Sequence, residues 1–318
     1  MTTGKSVVAI GIFDGVHIGH QRILEQARLR AKDLGVEAIA LTFDPHPTAI
    51  LAPEHRPNQL TTLNYRARLI KSIGIDAMVA LTFDQRFANL SPAEFEQDIL
   101  IKQLDVQAIY VGDNFTYGHK ALGTVESLKE SKLLSNREVH GEPLTVFGGE
   151  TVSSTLIRKY VHRGNVEHAW KLLTRPHVVE GTVVHGDARG RELGYPTANF
   201  GFTYPAAIPA DGVYAGWLHA DGENWPAAIS IGTNPTFNGA DRRVEAHALG
   251  RTDLELYGKS AAISFGWRLR ETLKFDGISE LLTQMKLDCD RASANNDYFG
   301  SVGNSRLRHE ETVSCIHV

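Results

Sequence analysis

Apolar positions along the chain follow two regimes. Through the first half, short unbroken apolar runs alternate with stretches of helical spacing. Residues 7–10 (VVAI), 36–43 (VEAIALTF), 77–83 (AMVALTF) and 107–111 (QAIYV) read as buried strands, with a fifth short strand at 143–147. Between them, residues 21–34 carry Ile23, Leu24, Ala27, Leu29, Ala31 and Leu34 at roughly the helical repeat. Residues 65–73 and 92–104 read as further helices, the second opened by Ser91 as N-cap. Strand and helix alternating in this way are βαβ units. The first half is therefore predicted to be α/β, a Rossmann-like domain with a parallel sheet and right-handed crossovers.

A helix at 165–173 (NVEHAWKLL) is stopped by Pro176, and the pattern then changes. Residues 177–184, 212–219, 226–231, 244–249 and 260–265 are strand-like, separated by Gly, Asp, Asn and Pro turns. Helical periodicity returns only at 278–290. This predicts a small antiparallel β-barrel with a terminal helix. The expected division is a first domain at 1–164, a linker at 165–177 and a second domain at 178–292. A polar segment without periodicity, 293–318, reads as a flexible tail.

The chemistry concentrates where strands end. The first strand runs into Gly11-Ile12-Phe13-Asp14-Gly15-Val16-His17-Ile18-Gly19-His20-Gln21. His17 and His20, three residues apart at a helix start, share a face and can address one ligand. The helix N-terminus offers its N–H groups and positive dipole end to an anion. Two imidazoles beside such a site suit nucleotidyl transfer, in which charge grows on the α-phosphate. Taken alone, the stretch also fits a plain turn with histidines capping a helix.

The second strand ends in Asp44-Pro45-His46-Pro47, whose prolines hold an extended loop at a position where open α/β sheets place ligands. His46 can reach a nucleotide from there. After the fourth strand, Asn114 and Phe115 lie between Gly112 and Gly118 and offer a wall for a flat ring, or a turn tucked into the core. Ser153, Ser154 and Thr155 at a helix start, with Arg158 one turn on, can cap that helix or grip phosphate oxygens. In the second half, Gly186, Gly190 and Gly194 with Arg189 and Arg191 can wrap phosphates. No GKS or GKT follows, so this is not a Walker loop. Thr197 and Asn199 alternate on an extended segment and face one way. Neutral oxygens of this kind, with substrate phosphates supplying the charge, suit Mg²⁺. A surface turn before a strand accounts for the same residues equally well.

Composition narrows the classes. At 318 residues, 42% hydrophobic and 22% charged, the chain is an ordinary globular sequence long enough for two cores. A formal net charge of −4 argues against a nucleic-acid partner. The two cysteines, Cys289 and Cys315, lack metal or disulfide spacing and suit a reducing, cytoplasmic setting. No run approaches the 18 or so apolar residues of a membrane span.

The first turn resembles the HxGH signature of the nucleotidyltransferase superfamily. In its longer form, GxFDGVHxGHQ, it is similar to the N-terminal module of the prokaryotic bifunctional riboflavin kinase/FAD synthetase family. FDPHP is similar to that family's FxPHP, and residues 152–158 resemble its ISSTxIR. Residues 112–118 resemble an approximate GxDFxFG, with Asn114 where an acid is common. GRELGYPTAN, residues 190–199, looks like the PTAN motif of flavokinases. Residues 232–237, 244–247 (VEAH) and 256–258 (LYG) match further family runs, so the likeness spans about residues 7 to 292.

The resemblance implies two reactions. In the barrel, ATP would phosphorylate riboflavin to FMN, with Glu245 as general base and Thr197 and Asn199 around Mg²⁺. Gly186, Arg189, Gly190, Arg191, Gly194, Pro196, Thr236, Tyr257 and Arg270 would hold nucleotide and flavin there. In the first domain, FMN would be adenylylated to FAD with release of pyrophosphate. His17 and His20 would stabilise the transition state, and Gly11, Phe13, Asp14, Gly15 and Gly19 would meet ATP. Ser153, Ser154, Thr155 and Arg158 would hold the leaving pyrophosphate, and His46, Asn114 and Phe115 would face FMN. Riboflavin, ATP, FMN and FAD are then substrates and products rather than redox cofactors, with neither nucleic acid nor membrane as partner. The rival is a flavin-binding regulatory protein of the same fold with one activity lost.

Overall fold

In the computed structural model, which describes residues 4–186, 189–236, 239–303 and 315–317, the four apolar runs of the first half become neighbours in one parallel sheet. They are β1 (Ser6–Ile10), β2 (Glu37–Asp44), β3 (Ala77–Thr82) and β4 (Val106–Gly112). Helix α1 (Ile18–Leu34) follows β1, and α2 (Leu63–Ser72) precedes β3. Val7, Val8, Ala9 and Ile10 are all buried, as are Ile39 and Leu41 beside them. A strand covered on both faces must be apolar without alternation, which is why these runs are continuous. Each Val, Ile or Leu side chain among them contributes about 1.5–3 kcal/mol of burial free energy.

The strand order is β3-β2-β1-β4, continued beyond β4 by β5 (Glu138–Glu142) and beyond β3 by Cys315–His317. The chain thus builds outward from β1 in one direction, then returns to place β4 on its other side. The crevice outside the carboxyl ends of β1 and β4 is a topological switch point, where open α/β sheets bind ligands. The fifth strand departs from the expected position. Residues 143–147 supply only Val146–Phe147, which pairs with Glu150–Thr151 as an exposed hairpin. The strand is Glu138–Glu142, whose half-buried polar residues are tolerable at the border of the sheet. The helix behind Ser91 opens as expected, with Ser91 and Glu94 bonding reciprocally, but it continues over Phe95–Gln103 with wide π-type turns.

Contacts divide the chain into two units, the second comprising Asn58–Thr61 together with the residues from Ser154 to Glu310. It opens with α3 (Ser154–His162) and α4 (Val166–Leu173). Six strands follow: β6 (His177–Val184), β7 (Ala198–Gly201), β8 (Gly212–Ala220), β9 (Glu223–Thr236), β10 (Gly239–Ala248) and β11 (Ser260–Arg270). They close into a barrel in the order β6-β7-β10-β9-β8-β11, every pair antiparallel. Closure leaves no strand edge exposed within it. Tyr214, Ile229, Ile263 and Phe265 fill the centre. Gly216 is required where β8 meets β11, because a Cβ there would lie 2.0 Å from the Ser264 carbonyl oxygen. Helix α5 (Ile278–Gly303) packs on β8, β9 and β11. It outruns the periodicity seen in the sequence. Residues 293–303, read as the start of a tail, are its last turns, and the tail residues 304–314 and 318 lie outside the described residues.

Candidate active sites

The first site is built on the turn between β1 and α1. His17 is the N-cap of α1, its Nδ1 accepting the backbone N–H of His20 at 3.3 Å. It therefore stands just before the helix rather than inside it. A neutral imidazole that accepts at Nδ1 carries its proton on Nε2, so the cap leaves His17 a donor at the far nitrogen. The His20 ring stacks on that of His17 with centroids 3.6 Å apart and planes at 19°, and meets the edge of Phe13 at 5.3 Å. Gly19 eases this packing, because a Cβ there would come within 3.2 Å of the His17 ring, closer than ordinary contact. The turn itself is strained. Phe13 (φ 52°) and Val16 (φ 41°) join Gly15 (φ 85°) in the left-handed region, rare for a β-branched residue such as Val16. Asp14 is almost fully buried and pairs with Arg66.

Across the switch point, the loop after β4 carries Asn114, exposed, and Phe115, half-buried. The would-be Cβ of Gly112 lies 3.9 Å from Ile23 of α1, which sets this loop beside the helix that follows the imidazole turn. Phe115 stacks on Tyr117 at 5.6 Å, and Tyr117 donates to Glu96 at 2.6 Å. Burial first, then that hydrogen bond, pushes the Tyr117 phenol well above its ordinary pKa. His46 is half-buried after β2, its Nδ1 accepting the Thr48 N–H at 3.2 Å. Ser153 ends the first unit, whereas Ser154, Thr155 and Arg158 belong to the second. There the Arg158 Nε donates to the Asn58 carbonyl at 2.6 Å.

The second site lies on the barrel wall. Asn199 of β7 stands directly opposite Glu245 of β10 in the antiparallel register, and Thr197 lies two residues earlier on the same face. Thr197 Oγ1 donates to Glu245 Oε2 at 3.0 Å, and Asn199 Nδ2 approaches Thr197 Oγ1 at 3.5 Å. Three residues drawn from two distant stretches thus form one polar cluster. Gly186 closes over it: a Cβ there would sit 2.4 Å from the Asn199 amide nitrogen. Beside the cluster opens a shallow cleft lined by Val183, Arg191, Pro196, Thr197, Leu256 and Tyr257 among others. The Arg191 guanidinium lies over the Tyr257 ring at 5.9 Å. Gly190 and Gly194 shape the preceding loop, the latter at φ 84°. The side chains of Arg189 and Thr236 lie outside the described residues.

Arg270, expected on the flavin side, forms a bidentate ion pair with Asp288 of α5 at 2.6–3.0 Å, and Asp288 is buried. Sequence reasoning passed over two residues of this site. The ring Nδ1 of His247 donates to the Pro196 carbonyl at 2.8 Å and so fixes the segment entering β7. Its position two residues beyond Glu245, on the same strand face, was the available signal. His185 stacks on Tyr257 at 4.0 Å, a contact between stretches 72 residues apart that no local pattern announces.

A parallel-sheet domain with an imidazole turn at its switch point, carried on one chain with a closed barrel that bears Thr197, Asn199 and Glu245 on its wall, is the architecture of a nucleotidyltransferase coupled to a flavokinase-type barrel. Family models divide the chain the same way: FAD synthetase matches residues 1–156 and riboflavin kinase residues 173–295. The bifunctional riboflavin kinase/FMN adenylyltransferase of Bacillus subtilis (strain 168) is 35% identical over 91% of this chain and 92% of its own length. Its counterpart from Escherichia coli (strain K12) is 32% identical over 89% and 90%. The chain belongs to the bifunctional riboflavin kinase/FMN adenylyltransferase family. Among solved structures, one from Streptococcus pneumoniae titled a macrolide-efflux protein superposes with a TM-score of 0.84 at 33% identity, covering 92% of this chain and 95% of that one. Among the described residues of the present chain, no helix is long and apolar enough to cross a membrane.

Proposed function

We propose that the chain performs both reactions of its family: phosphorylation of riboflavin to FMN, and adenylylation of FMN to FAD. The observation that carries the reading is the contact of Thr197 with Glu245, which gathers a carboxylate and two neutral oxygens beside a cleft. In the kinase step, the ribityl hydroxyl oxygen attacks the γ-phosphorus of ATP, its proton passes to Glu245, and ADP leaves. Phosphoryl transfer depends chiefly on position and charge, so Glu245 need do little more than orient the hydroxyl and take its proton. Among the described residues there is no cluster of three His, Cys, Asp or Glu able to hold a metal. The donors present suit a hard cation that arrives with its own anionic oxygens, which is how Mg²⁺ accompanies ATP. Thr197 and Asn199 would hold Mg²⁺, which would neutralise charge on the phosphates, and Gly186, Gly190, Arg191 and Gly194 would shape the loop around them.

In the adenylyl step, a phosphate oxygen of FMN attacks the α-phosphorus of a second ATP, and pyrophosphate departs. No covalent enzyme intermediate is needed. The Nε2–H of His17 and the His20 ring meet the charge that grows on the α-phosphate, at a helix N-terminus already suited to an anion. Gly11, Phe13, Gly15 and Gly19 shape the ATP side, and His46, Asn114 and Phe115 the flavin side. Ser153, Ser154, Thr155 and Arg158 take the pyrophosphate by family resemblance. The functional division follows residues 1–164 and 178–292, and the unpaired spacing of the cysteines suits the cytoplasm.

Incubation with riboflavin and MgATP, followed by chromatographic separation, tests both claims. FMN and FAD should accumulate in turn, and EDTA should stop both. A chain that yields no FMN loses the kinase assignment. One that binds FMN tightly without turning it over is the regulatory relative instead.

A further inference from the structure

Arg66 lies on α2, far along the sequence from the imidazole turn, yet only 5% of its side chain is exposed. Its Nη1 donates to the Ile12 carbonyl at 2.9 Å, and its Nη2 stands 3.6 Å from Asp14 Oδ1. Thr42 Oγ1 of β2 donates to the same Ile12 carbonyl at 3.0 Å. Two elements, α2 and β2, therefore hold one carbonyl, and the residues that follow it are the strained ones. Phe13 and Val16 keep positive φ only if their surroundings over-determine the conformation. A guanidinium is suited to this task, since its planar fork serves a carbonyl and a carboxylate at once.

The burial of Asp14 points the same way. At 1% exposure, its carboxylate is matched to Arg66 and is poorly placed to meet a triphosphate, which it would repel. Replacing a buried ion pair by apolar residues of similar volume is often neutral or stabilising, so stability is a weak account of this one. We propose that Arg66, through Ile12 and Asp14, is a positioning residue for adenylyl transfer: it locks the turn that presents His17 and His20 and touches no substrate. The proposal rests on reading residues 11–21 as the adenylyltransferase site.

The test uses the full chain, in which the kinase reaction reports on folding. Arg66→Met keeps the bulk and removes the donors; Arg66→Lys restores one charge and a point donor. For Arg66→Met, kcat for FAD formation from supplied FMN should fall about 100-fold, as expected when catalytic groups shift by about an ångström, with KM for ATP changed less than about twofold. FMN formation should be unaffected, and Arg66→Lys should recover about tenfold of the loss. Amides of residues 11–17 should also exchange with deuterium faster in Arg66→Met, while those of the barrel strands do not. Three results would overturn the proposal: FAD formation retained within about threefold, a raised KM with kcat intact, or a parallel loss of both activities. Wild-type chain that makes no FAD breaks the underlying site reading instead, and the exchange measurement then decides by its own result whether Arg66 braces the turn.

Discussion

The turn after β1 and the wall formed by β7 and β10, the two sites proposed for nucleotide phosphates, have opposite architecture. A parallel sheet covered on both faces has no strand surface left to offer, so its chemistry sits in loops at the strand ends and depends on backbone held in uncommon conformations. The antiparallel barrel exposes side chains directly, and its cluster needs only register: Asn199 opposite Glu245, with Thr197 on the same face. The first solution relies on strain at Phe13 and Val16 and on buried braces. The second relies on pairing that the barrel already provides. One site should therefore be sensitive to packing some distance away, the other mainly to its own side chains.

The sharpest break in this comparison is His20→Ala. FAD formation should drop about 10³-fold, in the range seen for loss of a transition-state donor, while FMN formation continues. Equal loss in both would mean the sites are not independent. Next comes Asp288→Ala, which leaves Arg270 without its buried partner. It should lower the stability of the barrel unit by about 3 kcal/mol, read as an early calorimetric transition. The first unit should keep its FAD formation from supplied FMN below that transition. Glu245→Gln, which preserves shape but cannot take a proton, should slow FMN formation about 10²-fold and leave adenylylation of supplied FMN untouched. The smallest effect is Ser91→Ala. Loss of this exposed cap should cost about 1 kcal/mol in denaturant titration, with both activities unchanged. A change in FAD formation would mean that the π-type helix it opens, which carries Glu96, also supports the flavin wall through Tyr117.

Much of this was legible along the chain. Residues 7–10 and 107–111 announced buried strands because a doubly covered strand must be apolar throughout. Residues 177–184 were read as β6 with both ends right. The fifth strand escaped because a sheet border needs no apolar run, so Val146 and Phe147 drew attention to an exposed hairpin instead. Residues 293–303 looked like a tail because, taken as sequence, they belong to a largely polar stretch without clear helical periodicity. His17 and His20 were visible as a pair three residues apart, and helix capping was one of the readings open to them; that His17 alone is the cap, with the His20 ring stacked on it, was not, since a cap is defined by where the helix starts.

Composition, apolar spacing and motif order were enough to establish the two fold classes and to single out the short stretches proposed to bear the chemistry, because these are properties of neighbours in sequence. Three-dimensional packing alone placed β4 beside β1, set Asn199 against Glu245 across 46 residues, and brought Arg66 under the imidazole turn. Strand order, register and buried pairing depend on contacts between residues far apart in the chain, and no local pattern encodes which distant partner wins.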